Sequence, residues 1–325
     1  MVLTAARYAA AALCGWSVHP EQQLTGEKKM HYAFTKHLAE ILVQEARNDI
    51  PVCIVRPAVV TGAEQEPFPG WIDNFNGPGG LFIGMAKGIV RCSYTNEQGT
   101  LDVVPIDHVV NLTLAAGYRL GSGSDDKKDM KVYNCSSTEN PLVQTKLCQA
   151  MMEAYGETPF NEIFWYPSIV FVRSRLVFKT LNFFLHYVPA LSLDCLSWLI
   201  WMKPKVSWLR KYKKIREVAE SLQFMQRTYF TFKTSNTVDL FKQLSKVDQE
   251  DFNFDIQRVS MRSYIKNCVY GYRHYACKEK DEDLPTARKN FIRYRRIYYC
   301  CLYSMVSGGV IFSILKLLLL MRRKK

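Results

Sequence analysis

MHYAFTKHLAEILVQEARNDIPVCIVRP, residues Met30 to Pro57, is the stretch that decides the fold. From Met30 to Asn48, Phe34, Leu38, Ile41, Leu42 and Glu45 recur at helical spacing and are mostly apolar, so the segment is expected to form a helix with one buried side. Asn48-Asp49 closes it. Pro51-Val52-Cys53-Ile54-Val55 is a short apolar, β-branched run ended by Arg56-Pro57, which reads as a buried strand. A helix that feeds a buried strand is half of a βαβ unit and implies a parallel sheet.

The same alternation continues downstream. Residues 62–80 are rich in Gly, Pro and Asn and read as a long loop. Leu101 to Ile106 reads as a strand, Asp107 as the cap of a helix that runs to Leu120, and Gly121 to Asp129 as a linker. Val132 to Cys135 is a third strand and Pro141 to Tyr155 a further helix. The fold class is therefore α/β. After Pro159 aromatics become dense and strands fade. Ile163 to Met202 is strongly apolar. It reads either as a hydrophobic hairpin lying on a membrane or as the apolar wall of a lipid pocket. Residues 206–280 return to a mixed helical pattern. Ile297 to Leu315 carries no charge, and the run continues through Lys316 to Met321, long enough for a helix to cross a bilayer core of about 30 Å. Tyr298, Tyr299 and Tyr303 suit one interface, and Lys316 can reach the other. The competing reading is a buried helix of a soluble domain. The expected organisation is an irregular segment at 1–29, an α/β domain at 30–158, a mainly helical domain at 159–290 and a transmembrane helix at 297–321.

Composition narrows the partners. Of 325 residues 48% are hydrophobic and 22% charged, which a packed core explains and disorder does not. The formal charge of +13 favours anionic partners. It is concentrated in Lys203, Lys205, Arg210, Lys211, Lys213, Lys214 and Arg216, and again on both sides of the C-terminal apolar run. Basic residues beside apolar stretches fit a membrane surface better than a nucleic acid. The ten cysteines are scattered without a C-x-x-C pair, so neither a zinc site nor a disulfide framework is expected, and a reducing compartment is. The six histidines are dispersed, and no metal is expected. The N-terminus makes a poor signal peptide.

Tyr32-Ala33-Phe34-Thr35-Lys36 is a Y-x-x-x-K motif. On a helix the first and last of these residues share a face, which sets an ammonium beside a phenol. The ammonium favours the phenolate and lowers the phenol pKa from about 10, making it a general acid for a carbonyl that accepts hydride. Chance alone supplies about one such motif in a chain of this composition. A second one, Tyr229 to Lys233, has no following strand ending in Arg-Pro and reads as structural.

In context the motif carries a resemblance. YAFTKHLAE (Tyr32 to Glu40) resembles the active-site helix of extended short-chain dehydrogenases, and of alcohol-forming fatty acyl-CoA reductases in particular. IVRPAVV (Ile54 to Val60), GWIDNFNGPGGLFIGMAKG (Gly70 to Gly88), LDVVPIDHVVN (Leu101 to Asn111) and VYNCSSTENP (Val132 to Pro141) are similar to that family in order. So are HYVPAL (His186 to Leu191), FNFDIQRVSMRSY (Phe252 to Tyr264) and GYRHYACKE (Gly271 to Glu279), although Met261 stands where the family usually has tryptophan. The resemblance implies the C-terminal half of a Rossmann-like parallel sheet domain, then a mainly helical C-terminal domain and a membrane helix. It implies NADPH as cofactor, a long-chain fatty acyl-CoA as substrate, and its reduction through the aldehyde to a primary alcohol. Tyr32 and Lys36 would be catalytic. Tyr32 and Lys36 with Pro57, Ala58, Val59 and Val60 would contact the cofactor. Charge alone, apart from the resemblance, points the basic second half toward the phosphates of coenzyme A. Localisation would be the endoplasmic reticulum or peroxisomal membrane through a single-pass C-terminal anchor, with no nucleic acid bound.

The family's glycine-rich pyrophosphate turn is missing. Gly77 to Gly80 follows a loop, and Gly121 and Gly123 follow a helix, whereas the turn must join a strand to a helix. The chain is therefore expected to be N-terminally truncated, either as a piece of a working reductase or as a catalytically inactive, membrane-bound relative. Another extended short-chain dehydrogenase, such as a sterol dehydrogenase, would share Tyr32 and Lys36 without the C-terminal segments.

Overall fold

The computed structural model describes residues 28–47, 50–75, 78–95, 99–123, 130–201, 207–227 and 231–322, with backbone alone at 28–34, 218–227, 305, 306 and 309–322. In chain order the elements are α1 (Lys28–Ala46), β1 (Ile54–Pro57), β2 (Val59–Thr61), α2 (Pro78–Ala86), β3 (Cys92–Tyr94), β4 (Thr100–Leu101), β5 (Val103–Pro105), α3 (Ile106–Gly121), β6 (Val132–Cys135), β7 (Leu142–Val143), α4 (Gln144–Glu157) and β8 (Val170–Val172). Then follow α5 (Arg175–Leu199), α6 (Trp208–Arg227), α7 (Ser235–Gln243), α8 (Lys246–Asp251), α9 (Met261–Gly271) and α10 (Leu284–Arg322). The chain is α/β, with parallel strand pairs and many helices. Residues 1–27, most of the linker at 124–129, Tyr229 and the terminal Arg323 to Lys325 lie outside the described residues.

Several elements differ from the sequence reading. Strand β1 starts at Ile54, not Pro51, because it runs parallel to β6 with Ile54 opposite Val132 and Pro57 opposite Cys135, and Pro51 has no N–H to give to a ladder. The strand expected at Leu101 to Ile106 is split at Asp102. Thr100 and Leu101 pair antiparallel with β7, while Val103–Pro105 pairs with β2. Helix α3 begins at Ile106 with Pro105 as its N-cap and no side-chain capping bond. Asp107 sits inside the first turn, where its Oδ1 accepts from the backbone N–H of His108 at 3.2 Å. The stretch after Gly70 is not all loop, since Pro78–Ala86 forms α2 and buries Leu81, Phe82 and Met85. After Pro159 one strand remains among the described residues, β8, which pairs parallel with β3, Cys92 opposite Val170, and every later described element is helical.

Contacts gather the chain into two units. The first comprises the residues up to Val60, Asp102–Pro141 and Phe230–Val259. Its core joins Val104, Leu112, Ala115, Ala116, Tyr133 and Cys135 to Leu240, Phe241 and Phe254. Residues 230–259 pack with the first unit. Their apolar side chains cover the face that β6 and α3 leave open, and their polar ones take strand carbonyls. Thr237 Oγ1 donates to Asn134 O at 2.9 Å, and Asn236 Nδ2 to Val132 O at 2.9 Å.

The second unit comprises Thr61–Leu101, Leu142–Tyr229 and Ser260–Lys325. Here α9 lies against α4, with Arg262 bidentate on Glu153 and Lys266 on Glu157 at 2.7 Å. The Tyr264 hydroxyl donates to Gly62 O at 2.7 Å. Arg273 is fully buried, held by Pro159 O, Lys280 O and the Asp281 carboxylate. Gly70 has φ +79° and touches the end of α9 backbone to backbone. The apolar stretch at 163–202 is not a hairpin. It holds one continuous helix, α5, with a π-turn at Phe183–Tyr187. The π-turn lies just before Pro189, whose missing N–H and ring would otherwise interrupt the helical ladder. Among the described residues, α5 is the helix long and apolar enough to cross a membrane, and only 6% of its apolar window is buried. Helix α10 runs without a break for 39 residues, about 58 Å, through Ile297 to Met321. Its side chains from 309 onward lie outside the described residues.

A Cβ on Gly271 would overlap the carbonyl of Gly70, backbone against backbone, and neither side is free to yield. Gly271→Ala is expected to lower stability by about 3 kcal/mol, measured as a shift of the urea midpoint. An unchanged midpoint would show that this approach can relax.

Candidate active site

Tyr32, Lys36 and Glu40 recur every four residues on α1 and so lie along one side of it. Glu40 is the anchor of that side. Its carboxylate receives Arg56 as a fork, Nε at 2.8 Å and Nη2 at 2.6 Å. The hydrogen bond that Arg56 donates to Glu40 raises the Arg56 pKa above its ordinary value. The pair is partly exposed, with 49% of the Arg56 side chain and 28% of Glu40 in solvent, and its energy is about 1 kcal/mol. Its geometric effect is larger. A bidentate fork fixes orientation as well as distance, so it sets α1, two turns beyond Tyr32, over the carboxyl end of β1. The Lys36 side chain is exposed. The side chain of Tyr32 lies outside the described residues.

The chain leaves β1 at Pro57. The N–H of Ala58 donates to Cys135 O at 2.8 Å and that of Val59 to Asp102 O at 3.0 Å. Ala58 and Val60 pack on the core of the first unit. At the same carboxyl end of the parallel pair, the Asp102 carboxylate collects three donors: Ser136 Oγ at 2.6 Å, Ser137 N–H at 2.6 Å and Ser137 Oγ at 2.8 Å. A carboxylate shared among a hydroxyl pair and a backbone N–H pins the chain as it turns away from β6.

A cavity of about 380 Å³ opens beside that turn, lined in part by Cys135, Ser136, Thr234, Thr237, Phe241 and Phe254. Burial, then the charge of Asp102, pushes the Cys135 thiol up to about 12, so it is no nucleophile near neutrality. Among the described side chains, none of Lys36, Pro57, Ala58, Val59 or Val60 lines this cavity. The structure thus joins α1 to β1 through Glu40 and Arg56, and joins Ala58 and Val59 to Cys135 and Asp102. Among the described residues no group of three or more His, Cys, Asp or Glu stands together.

Sequence reasoning missed two of these groups. Glu40 and Arg56 were both in view, and the four-residue register after Lys36 was the available signal for the pair. Asp102 carried no such signal, because its partners lie more than thirty residues away.

Two family models, both described as male sterility protein, match the chain. An NAD-binding model covers residues 16–113, and a second model covers residues 185–279. The chain is 35% identical over 279 residues to fatty acyl-CoA reductase 1 of Rattus norvegicus, covering 85% of this chain and 53% of that protein. It is 33% identical over 278 residues to fatty acyl-CoA reductase 1 of Xenopus laevis and 34% over 277 to fatty acyl-CoA reductase 2 of Mus musculus, with the same coverages. The chain spans about half the length of the curated relatives it matches.

Arg56→Ala removes the fork and is expected to cost about 1 kcal/mol of global stability while raising amide hydrogen exchange along α1 much more than elsewhere. Uniform exchange across the first unit would mean that Glu40 and Arg56 do not hold this helix in place.

Proposed function

Since this chain belongs to the fatty acyl-CoA reductase family, we propose that its residues serve the NADPH-dependent reduction of a long-chain fatty acyl-CoA, through the aldehyde, to the primary alcohol. The observation that carries this reading is the junction of α1 with β1: a Y-x-x-x-K helix fastened by Glu40 and Arg56 over the carboxyl end of a parallel strand. Ligands of open α/β sheets bind at that end. In this reading residues 30–158 carry the reductive chemistry and 159–290 form the family's C-terminal domain.

The residues present fit the nicotinamide ribose end of the cofactor and not its pyrophosphate. Lys36 is exposed on the side of α1 that leads to the fork, where its ammonium would hold the ribose hydroxyls. No glycine-rich strand-to-helix turn stands in the sequence, and the N–H groups of Ala58 and Val59 are engaged within the fold. Pro57 and the short segment to Val60 would border the nicotinamide. When bound, one cofactor molecule would supply hydride to the thioester carbonyl, whose C–S bond breaks to release coenzyme A as the thiol, and a second would supply hydride to the aldehyde. Tyr32 would hold the proton that the carbonyl oxygen receives at each reduction. Lys36, one turn along the helix, would keep that phenol acidic by favouring its anion. The fork between Glu40 and Arg56 would position both by fixing the rotation of α1.

Ile297 to Met321 of α10 would anchor the chain in the membrane of the endoplasmic reticulum or peroxisome by a single pass. The unbroken course of α10 supports this. So do the ring contacts of Tyr298 and Tyr299 with Tyr166, an aromatic group at the start of the apolar run.

In a chain that also carries the family's glycine-rich turn, Tyr32→Phe is expected to lower fatty alcohol formation from acyl-CoA and NADPH by about a hundredfold or more, with the melting curve unchanged. Undiminished alcohol would remove Tyr32 from the chemistry. Deleting residues 297–325 should release the protein from membranes under alkaline extraction, and retention in the pellet would place the anchor elsewhere.

A further inference from the structure

Helix α5 turns its apolar side away from the fold. Ala190 and Ser197 are buried, and Phe178, Leu181, Leu185 and Pro189 are partly so, which makes one inward stripe at helical spacing. On the other side Leu176 is 75% exposed, Phe184 61%, Leu196 51%, Trp198 80% and Leu199 67%. A helix packed on a water-soluble surface is polar there. A contiguous apolar face of this kind marks a contact with something apolar.

The end of α5 makes an independent point. Trp201 has φ +57° and is 89% exposed, and its N–H donates to Trp198 O at 3.1 Å. The residue that ends a helix in the left-handed conformation is usually glycine, because a side chain there is strained. A tryptophan occupies the position instead and stands in solvent, as Trp198 does. Tryptophan is the side chain that favours the level of lipid headgroups.

The charge beside this face selects the partner. The Asp194 carboxylate of α5 accepts from Trp208 N–H at 2.7 Å, Leu209 N–H at 3.0 Å and Ser207 Oγ at 2.7 Å. It therefore caps the amino end of α6 and ties the two helices together. Just beyond that cap, α6 carries Arg210, Lys211, Lys213, Lys214 and Arg216, with those five side chains exposed. Cations adjoining an apolar face match an anionic leaflet, whose headgroups take the charge while the acyl region takes the rings. The same cap argues against spanning. A transmembrane α5 would carry Lys179 and Asp194 into the hydrocarbon and draw the basic start of α6 after them.

We propose that α5 lies in the plane of an anionic bilayer leaflet, with Trp198 and Trp201 inserted at the headgroup boundary and the cations of α6 on lipid phosphates. This contact is separate from the C-terminal anchor and does not depend on the reductase chemistry.

The test uses the full chain reconstituted into phosphatidylserine-containing vesicles whose lipids carry bromine either near the headgroup or near the acyl end. Tryptophan quenching is compared between the unmodified chain and a Trp198→Phe, Trp201→Gly variant. The second substitution relieves the backbone strain, so loss of folding does not confuse the result. The expected outcome is strong quenching by the shallow bromine, lost in the variant, and lost also in a Lys211→Gln, Lys213→Gln, Lys214→Gln chain. Three results overturn the proposal. Quenching equal in the variant and the unmodified chain places the face away from lipid. Stronger quenching by the deep bromine makes α5 a spanning helix. Unquenched Trp198 and Trp201 with a crosslink between chains through α5 makes the face a contact between two copies.

Discussion

The parallel pairing of β1 with β6 is the constraint from which the first unit follows. Four residues on each strand fix a common carboxyl end, and everything chemically suggestive in that unit is placed relative to it. Arg56, inside β1, reaches back to Glu40 and sets the rotation of α1. Past the end of β6, Ser136 and Ser137 close on Asp102, whose own carbonyl takes Val59 N–H. Short strands of this length would not hold alone. They persist because Tyr133 and Cys135 are buried under α3 and under Leu240, Phe241 and Phe254.

The polar contacts in the two units work in different ways. The Glu40–Arg56 fork is half in water and adds little free energy, yet it decides where one side of a helix points. Arg273 is the opposite case. It is wholly buried, and its charge is tolerable because Pro159 O, Lys280 O, Asp281 and the Glu279 carboxylate at 3.6 Å meet it. Its role is to lock the turn after α9, and removing any partner would leave a buried charge exposed to the low-dielectric interior. Buried thiols at Cys92 and Cys135, raised to about 11 and about 12, are likewise packing groups and not reagents.

The second unit shows what apolar composition alone leaves open. Its stretch at 163–202 is apolar enough to be core, pocket wall or membrane surface. The answer lies in direction: Leu176, Trp198 and Trp201 face outward, and Asp194 binds α5 to a basic neighbour.

The sequence by itself determined α1, β1, α3, β6 and α4, the α/β class, the Y-x-x-x-K register and the family, because these rest on local periodicity and on contiguous motifs. It could not give the split at Asp102, the packing of residues 230–259 with the first unit or the outward face of α5. Each of those depends on partners distant along the chain: the serines that claim Asp102, the strand carbonyls that Thr237 and Asn236 occupy, and the packing of Ala190 and Ser197 that leaves Trp198 exposed. Periodicity records which side of an element differs from the other. Only tertiary packing decides what each side meets, since that depends on which distant surfaces compete to be buried.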